Sequence, residues 1–480
     1  MKKILIIFLA IVTTGFFNSC DKDFEEINKT GDNPTFVPSS MLIGTAVRAA
    51  MNTIYSTFNG SEIGENWVQH NALTDYNNPD RYRPRVTSLD GVWNQLYYAA
   101  SQANQMEELA VVEGNTVNQG VAKVIKAYCF LMLTDLYGDV PFSEALTGAS
   151  AGNFTPTYDS QENVYNGVLA MLDAAMPQLA GSGTIDPNMD ILYGGDAAKW
   201  NKFAHSLKFR ALMRISSKMT DHSELQALVD SKMLFSSNTD EAKLVYTSAS
   251  PEANPLFETI VDQGRDEHKL SATFVNHMLD FSDPRLPIMA EPIEGETDVY
   301  VGKPNGYEQI PLDNFNTADV SGIGALYLEA TAPAYLVSYT ELLLLQAEAA
   351  KEGYISGGDA TAQAKYEAAI VNSMTENGVS DYAAYMADTR VAYTAAEALK
   401  KIGQQKWIIL FCQGFEAWTE WRRTGYPELT MAVDPLDGVS EIPSRLKYES
   451  VESSVNGVNY KAAVAAQGPD EFITKIWWLK

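Results

Sequence analysis

From Met41 onward, apolar residues recur every three to four positions, the spacing that lines one face of an α-helix. Val121, Val124, Ile125, Tyr128, Cys129, Met132 and Leu136 share such a face, with Lys123 and Lys126 off it. The stretch Tyr137-Gly138-Asp139-Val140-Pro141 then supplies a glycine and a proline, so this helix is expected to stop there. Over Ala197–Ser217, Trp200, Phe203, Ala204, Leu207, Ala211 and Ile215 repeat the pattern. Lys199, Lys202, Lys208, Arg210 and Arg214 make that segment locally basic. Tyr335–Glu352 contains Leu342-Leu343-Leu344-Leu345 and is apolar all round, which predicts a central helix. Glu397–Phe411 predicts another.

Two segments read as a helix–turn–helix unit. Leu342–Tyr354 carries small residues and a Gly-Tyr turn, and Ala360–Ile370 follows with a Tyr-Ala-Ile face. Tetratricopeptide units pack such pairs on a period of about 34 residues. Ala122–Leu146 reads as a second, weaker copy that turns at Tyr137–Phe142. Between helices lie long stretches rich in Gly, Asn, Asp, Tyr and Pro: Asn59–Leu89, Gly148–Tyr158, Asp280–Thr331 and Asp434–Gly468. Loops of that length in a packed domain usually carry function. A helical scaffold with aromatic loops suggests a binding protein.

The N-terminus departs from this pattern. Met1-Lys2-Lys3 precedes an unbroken apolar run from Ile4 to Val12, then Ser19-Cys20. A charged start, a short apolar core and a small residue at the cleavage point make a secretory signal. The run is far short of the roughly 20 residues that span a bilayer. Residues 1–19 therefore read as a removable signal peptide, and Cys20 as the lipidated N-terminus of a lipoprotein. Phe17 and Asn18 depart from the usual lipobox. Residues 20–38 are polar and acidic, with Pro and Gly breaks, and read as a tether. Residues 39–480 form the expected binding domain.

Composition narrows the function. The 480 residues are 46% hydrophobic, enough for a large core. Asp+Glu number 61 against 35 Lys+Arg, a net charge of −26. Such a body repels phosphate backbones and anionic lipid, so no nucleic-acid partner is expected and membrane attachment falls to the lipid on Cys20. Cys129 and Cys412 sit in apolar contexts and read as buried free thiols. No metalloprotease, serine-hydrolase, Walker or dinucleotide motif is present. The 5 His residues are not at metal-ligand spacing. Asp186-Pro187-Asn188-Met189-Asp190 starts like a calcium loop, but Ile191 replaces the needed Gly and Ala197 the bidentate Glu. Neither catalysis, a cofactor nor a metal is expected.

Ordered motifs run along the whole chain. They include Trp93-Asn94-Gln95-Leu96-Tyr97, Leu136-Tyr137-Gly138-Asp139-Val140-Pro141-Phe142, Pro156-Thr157-Tyr158-Asp159 and Gly194-Gly195-Asp196. Further on come Lys199-Trp200-Asn201-Lys202-Phe203, Ser206-Leu207-Lys208-Phe209-Arg210, Asp283-Pro284-Arg285-Leu286 and Gln404-Gln405-Lys406-Trp407. Trp418-Thr419-Glu420-Trp421-Arg422-Arg423-Thr424-Gly425-Tyr426-Pro427 and Ile442-Pro443-Ser444-Arg445-Leu446 close the series. With Cys20, these resemble the SusD/RagB family of nutrient-binding outer-membrane lipoproteins. His205 stands where an Asn is usual. The resemblance implies an all-α, SusD-like fold with four tetratricopeptide-like helix pairs and long elaborated loops. It also implies a non-enzymatic, lipid-anchored cell-surface protein of the outer membrane. Such a protein hands an oligomeric nutrient, most simply a glycan, to a SusC-like TonB-dependent transporter. A peptide-binding RagB-like subunit, a surface glycoside hydrolase and a scaffold that only caps the transporter remain alternatives.

For the ligand site, sugar recognition needs flat rings beside amides, acids and arginine. Trp67, Asp75, Tyr76, Arg81 and Tyr82 offer that mixture within one polar loop. The family resemblance points to the same region and to the loop with Tyr300, Tyr307, Asn314 and Tyr327. The alternative is that Trp67 packs in the core and the tyrosines merely anchor loops. Trp418, Trp421, Arg422 and Arg423 follow an apolar helix and read as a packed cluster paired with acids, as do Trp200, Trp407, Trp477 and Trp478 in the core.

Overall fold

Local signals set the helix ends. Asn115 accepts the Asn118 N–H at 3.0 Å and starts one long helix, which stops at Tyr137 because Gly138 takes φ 84. Asp196 caps Ala197–Arg214 by accepting the N–H groups of Ala198 and Lys199. Ser338 caps Tyr339–Lys351 through the Glu341 N–H. The computed structural model describes residues 37–307 and 315–480. Helices of eight or more residues are numbered α1 (Met41–Ile54), α2 (Val86–Glu113), α3 (Thr116–Tyr137), α4 (Gln161–Leu179), α5 (Ala197–Arg214) and α6 (Ser223–Asp230). After them come α7 (Ala272–Asp280), α8 (Tyr339–Lys351), α9 (Gly358–Glu376), α10 (Ala398–Ile409), α11 (Gly414–Thr424) and α12 (Gly457–Gln467). The protein is an all-α fold with two short two-stranded ribbons, and Ser39–Lys480 forms one unit.

The helices pack in chain order. α2 lies along α1 and α3, α3 along α4, and α9 and α10 both rest on α8. Every residue from Thr340 to Ala350 is buried, as the all-round apolar pattern of α8 requires. The α8–α9 pair is the helix–turn–helix unit expected at Leu342–Ile370. The expected copy at Ala122–Leu146 is different: only the four-residue turn of helix Gly148–Ala151 lies between the Gly138 stop and α4, and α3 packs on α4 instead. Val140 bridges Asp159, so the chain crosses in extended form before α4 begins. Two other boundaries shift. Ala334–Val337 is a strand rather than the start of α8, because it pairs antiparallel with Ala242–Leu244. Within Asp434–Gly468, expected to be irregular, Gly457–Gln467 is helical.

The basic stripe on α5 turns inward. Arg210 pairs with Glu341, and Arg214 reaches Asp135 at 3.0 Å and Glu420 at 3.1 Å, as well as Glu416. Lys406 and Arg423 continue the network to Glu348 and Glu420. All of these groups are buried or nearly so, so α5, α8, α10 and α11 are joined by charge as well as by apolar contact. Cys129 and Cys412 are free. Among the described residues no helix is long and apolar enough to cross a membrane, and no group of His, Cys, Asp or Glu has metal-binding geometry.

Two short ribbons matter for the site. Strand β1 (Asn71–Leu73) pairs antiparallel with β3 (His268–Leu270), with Leu73 opposite His268; β2 is Ala242–Leu244 and β4 is Ala334–Val337. The β1–β3 pair brings the turn after Leu73 beside the chain before His268, and the Thr74 N–H bonds the Glu267 carbonyl at 3.0 Å. A wide helical segment, Thr57–Glu65, packs on α11 backbone to backbone. A Cβ on Gly64 would fall 2.2 Å from the Gly414 carbonyl carbon, so that approach needs glycine.

Candidate functional site

Tyr76 from the turn after β1, Arg265 from the chain before β3, the start of the Thr57–Glu65 segment and the start of α2 line an open cleft of about 670 Å³. Phe58 stands on the wide helical segment. Its ring is flanked by the guanidinium of Arg85 at 4.8 Å and that of Arg265 at 5.5 Å. Arg265 also lies 5.4 Å from the ring of Tyr76. Ser56, Asn59, Thr87 and Ser88 add hydroxyl and amide groups. Tyr76 is 63% exposed and takes φ 50, with its N–H bonded to the Asp75 carboxylate at 2.7 Å. A left-handed, exposed aromatic of this kind is uncommon and persists where the surrounding turn holds it.

Buried acids orient the two arginines. Glu62 meets Arg85 Nη1 at 2.9 Å, and Glu267 accepts from Arg265 Nε at 2.7 Å. Burial dominates at Glu62 and pushes its carboxyl up to about 7, against the opposing pull of Arg85. At Glu267 burial pulls upward, but the Arg265 hydrogen bonds, a backbone N–H and the nearby positive charge together outweigh it and hold the carboxyl below its usual range. Burial pulls His268 down to about 4, so it is neutral at pH 7. The arrangement offers stacking faces and fixed donors. It does not assemble a nucleophile, a base and an orienting group.

The sequence-predicted residues divide. Tyr76 lines the cleft; Asp75, next to it in the chain, is exposed but is not part of the lining. Tyr307 is half-buried beside Phe315, and its carbonyl accepts from the Asn77 amide, which ties it to the same turn. Trp67 does not reach a ligand surface. It is fully buried, its Nε1 donates to the Pro79 carbonyl at 3.1 Å, and Trp418 packs edge-on at 4.9 Å. Tyr82 is 2% exposed, and its hydroxyl accepts the Ala432 N–H. Arg81 is buried and donates to the Asp434 carbonyl at 2.7 Å. The physical reason is Asp80: it accepts from Asn305 Nδ2 at 2.6 Å and the Gly306 N–H at 2.9 Å, drawing this end of the loop into the core. Tyr300 is half-buried against the core. Tyr327 lines a different, more enclosed cavity of about 240 Å³, with Tyr55, Tyr335 and Phe411, and donates to Asn377 Oδ1 at 2.7 Å. Asn314 and Cys20 lie outside the described residues.

Phe58, Arg85 and Arg265 were not singled out by the sequence. Phe58 sits just before the polar loop, and Arg265 meets it only through the β1–β3 pairing. The Trp418 cluster packs as expected: Arg422 lies 3.8 Å over the buried Trp418 ring, and Arg423 bonds Glu348 at 2.6 and 2.7 Å.

A family profile described as starch-binding, associating with the outer membrane, matches residues 32–449. The chain belongs to the SusD-like family. Solved structures agree with this. A chitin-binding SusD homologue from Flavobacterium johnsoniae is 25% identical with a TM-score of 0.80, covering 91% of this chain and 98% of its own. A chitin-binding protein is 26% identical with a TM-score of 0.79, covering 92% and 99%. A SusD homologue from Bacteroides fragilis NCTC 9343 is 26% identical with a TM-score of 0.75, also covering 92% and 99%. No curated protein matches the chain. Within this SusD-like fold, the arginine–aromatic cleft is an open site that combines ring faces with guanidinium, hydroxyl and amide groups.

Proposed function

We propose that this SusD-like protein is a non-catalytic surface subunit that captures an oligosaccharide in the Phe58–Tyr76 cleft and passes it to a TonB-dependent transporter. The observation that carries the reading is the cleft itself: exposed Tyr76 and two arginines fixed around Phe58, open along its length. An open groove admits a chain of sugar units, whereas the enclosed cavity beside Tyr327 would admit one small group. The family description and the chitin-binding relatives favour a glycan over a peptide. The absence of a catalytic arrangement in the cleft favours binding over hydrolysis.

The same reading makes Cys20 the lipid attachment point and places the protein at the cell surface. Cys20→Ser should move it from the membrane to the soluble fraction, since stable anchoring needs more than one acyl chain and a triacylated cysteine supplies it. The transporter should co-purify after detergent extraction, because a stable interface buries roughly 1,200 Å² or more. Calorimetry with glycan tetramers and hexamers tests the cleft. Phe58→Ala and Tyr76→Ala should each weaken binding about ten-fold, the scale of one lost stacking anchor. Wild-type affinity in both variants would move the site elsewhere.

A further inference from the structure

The cleft's charge is at odds with the rest of the molecule. The chain carries 61 acidic and 35 basic residues, yet the cleft lining holds Arg85 and Arg265 and no carboxylate. By contrast, the enclosed cavity is lined by Glu329 and Glu376. Both arginines are about one-third exposed, and both are held against Phe58. Among the described residues, Arg85 meets an acid through Nη1, and Arg265 through Nε and Nη2. Among the described residues, no acceptor meets Nε or Nη2 of Arg85 or Nη1 of Arg265. A neutral sugar needs ring faces and a few hydroxyl partners. Two preoriented guanidiniums with spare donors suit a planar anion, because the guanidinium fork matches a carboxylate in geometry as well as charge.

We propose that the cleft selects oligosaccharides whose units carry carboxylates, that is, uronic-acid chains. The inference rests on the oligosaccharide-binding reading above. Arg85 and Arg265 each take a carboxylate, while Phe58 and Tyr76 stack against the sugar faces between them. Burial keeps Glu62 from fully ionising near neutral pH, which leaves more of the Arg85 charge available.

The test is calorimetry on the intact protein with tetramers of galacturonate, mannuronate and hyaluronan. The comparison ligands are the methyl-esterified tetragalacturonate, chitotetraose, a sulfated carrageenan tetramer and tetraglutamate. The expected result is that one uronate binds at least ten-fold tighter than its ester and than chitotetraose. Arg265→Gln should then remove part of that uronate's advantage over its uncharged counterpart, since Arg85 keeps its own carboxylate contact. Because Arg85 also neutralises Glu62, the double variant Glu62→Gln/Arg85→Gln carries the same test without a bare buried carboxylate, with thermal unfolding as the fold control. Equal binding of acid and ester, or preference for chitotetraose, overturns the selectivity and leaves the oligosaccharide reading intact. Tighter binding of the sulfated tetramer overturns the carboxylate assignment. Tetraglutamate as the best ligand, or no binding to any sugar, overturns both readings.

Discussion

The cleft and the Trp418 cluster are built from the same residue types, yet one acid from each, Glu62 and Glu348, responds in the opposite direction. In the core, Glu348 faces Lys406 and Arg423, and these cations outweigh burial and hold it down at about 2. In the cleft, Glu62 has Arg85 alone at close range, burial wins, and the carboxyl rises to about 7. The arginines differ in the same way. Arg422 is buried, stacks on Trp418 and donates to the carbonyls of Ser444 at 2.7 Å and Asp135 at 2.9 Å. Arg85 and Arg265 stack on a ring but keep open edges. Aromatic–arginine proximity therefore does not mark a binding site by itself; the number of donors already consumed does.

The largest expected effect lies in the core half of this comparison. Glu420→Ala strips Arg214, Lys406 and Arg423 of a shared partner. Removing one member of a buried ion pair costs about 3–5 kcal/mol, because the other charges stay buried. The double variant Arg265→Ala/Glu267→Gln, which removes a pair whose arginine is one-third exposed without stranding the buried carboxylate, should cost at most about 1 kcal/mol. Denaturant midpoints of the two variants measure the difference. Similar losses would mean that the cleft arginines are structural after all.

Next in size is a pair of aromatic truncations. Trp67→Ala should lower stability by about 3–5 kcal/mol, the usual cost of emptying a buried aromatic site. Tyr76→Ala should change stability by no more than about 0.5 kcal/mol, as exposed substitutions do. Its effect should fall on ligand affinity, about ten-fold. A stability loss at Tyr76 and an affinity loss at Trp67 would invert the assignment.

These two residues also show how far the sequence could be read. Both lie in one polar loop, and composition makes them equally suited to a sugar. What separates them is Asp80, whose bonds to Asn305 and Gly306 pull Arg81 and Tyr82 inward and leave Asp75 and Tyr76 outside. Those partners are more than 200 positions away, and no local pattern signals them. Helices were easier to read. The Gly138 stop and the all-round apolar α8 are local facts of propensity and period. The apolar pattern carries the predicted helix back to Tyr335, inside strand Ala334–Val337, because a short apolar run fits strand or helix equally and only pairing with β2 decides. Helix α12 escaped notice because it buries just Ala463 and Gln467, so it has almost no apolar face. Arg265 was invisible for the same reason as Asp80: its role exists only once β3 lies beside β1.

The smallest expected effect is a change in the slope of stability with pH, and it isolates the cleft's unusual acid. Glu62 binds its proton more tightly folded than unfolded, with a folded value of about 7 against an ordinary 4.5. Its contribution is therefore full below about 4.5 and is lost as pH rises toward 7. His268 does the opposite. Burial holds it at about 4 against an ordinary 6.5, so the unfolded chain binds more protons and stability grows as pH rises from 4 to 6.5. The two slopes oppose each other between 4.5 and 6.5. Glu62→Gln removes the falling one, so the variant should gain stability relative to wild type as pH rises through that window, by on the order of 1 kcal/mol. Glu376 is also raised to about 7, but it is unchanged in both proteins and cancels in the difference. Urea midpoints at pH 4.5 and 6.5 for wild type and variant give the comparison. Parallel profiles would mean that Glu62 is ionised like an ordinary surface acid, and the contrast with Glu348 would collapse to a difference in exposure.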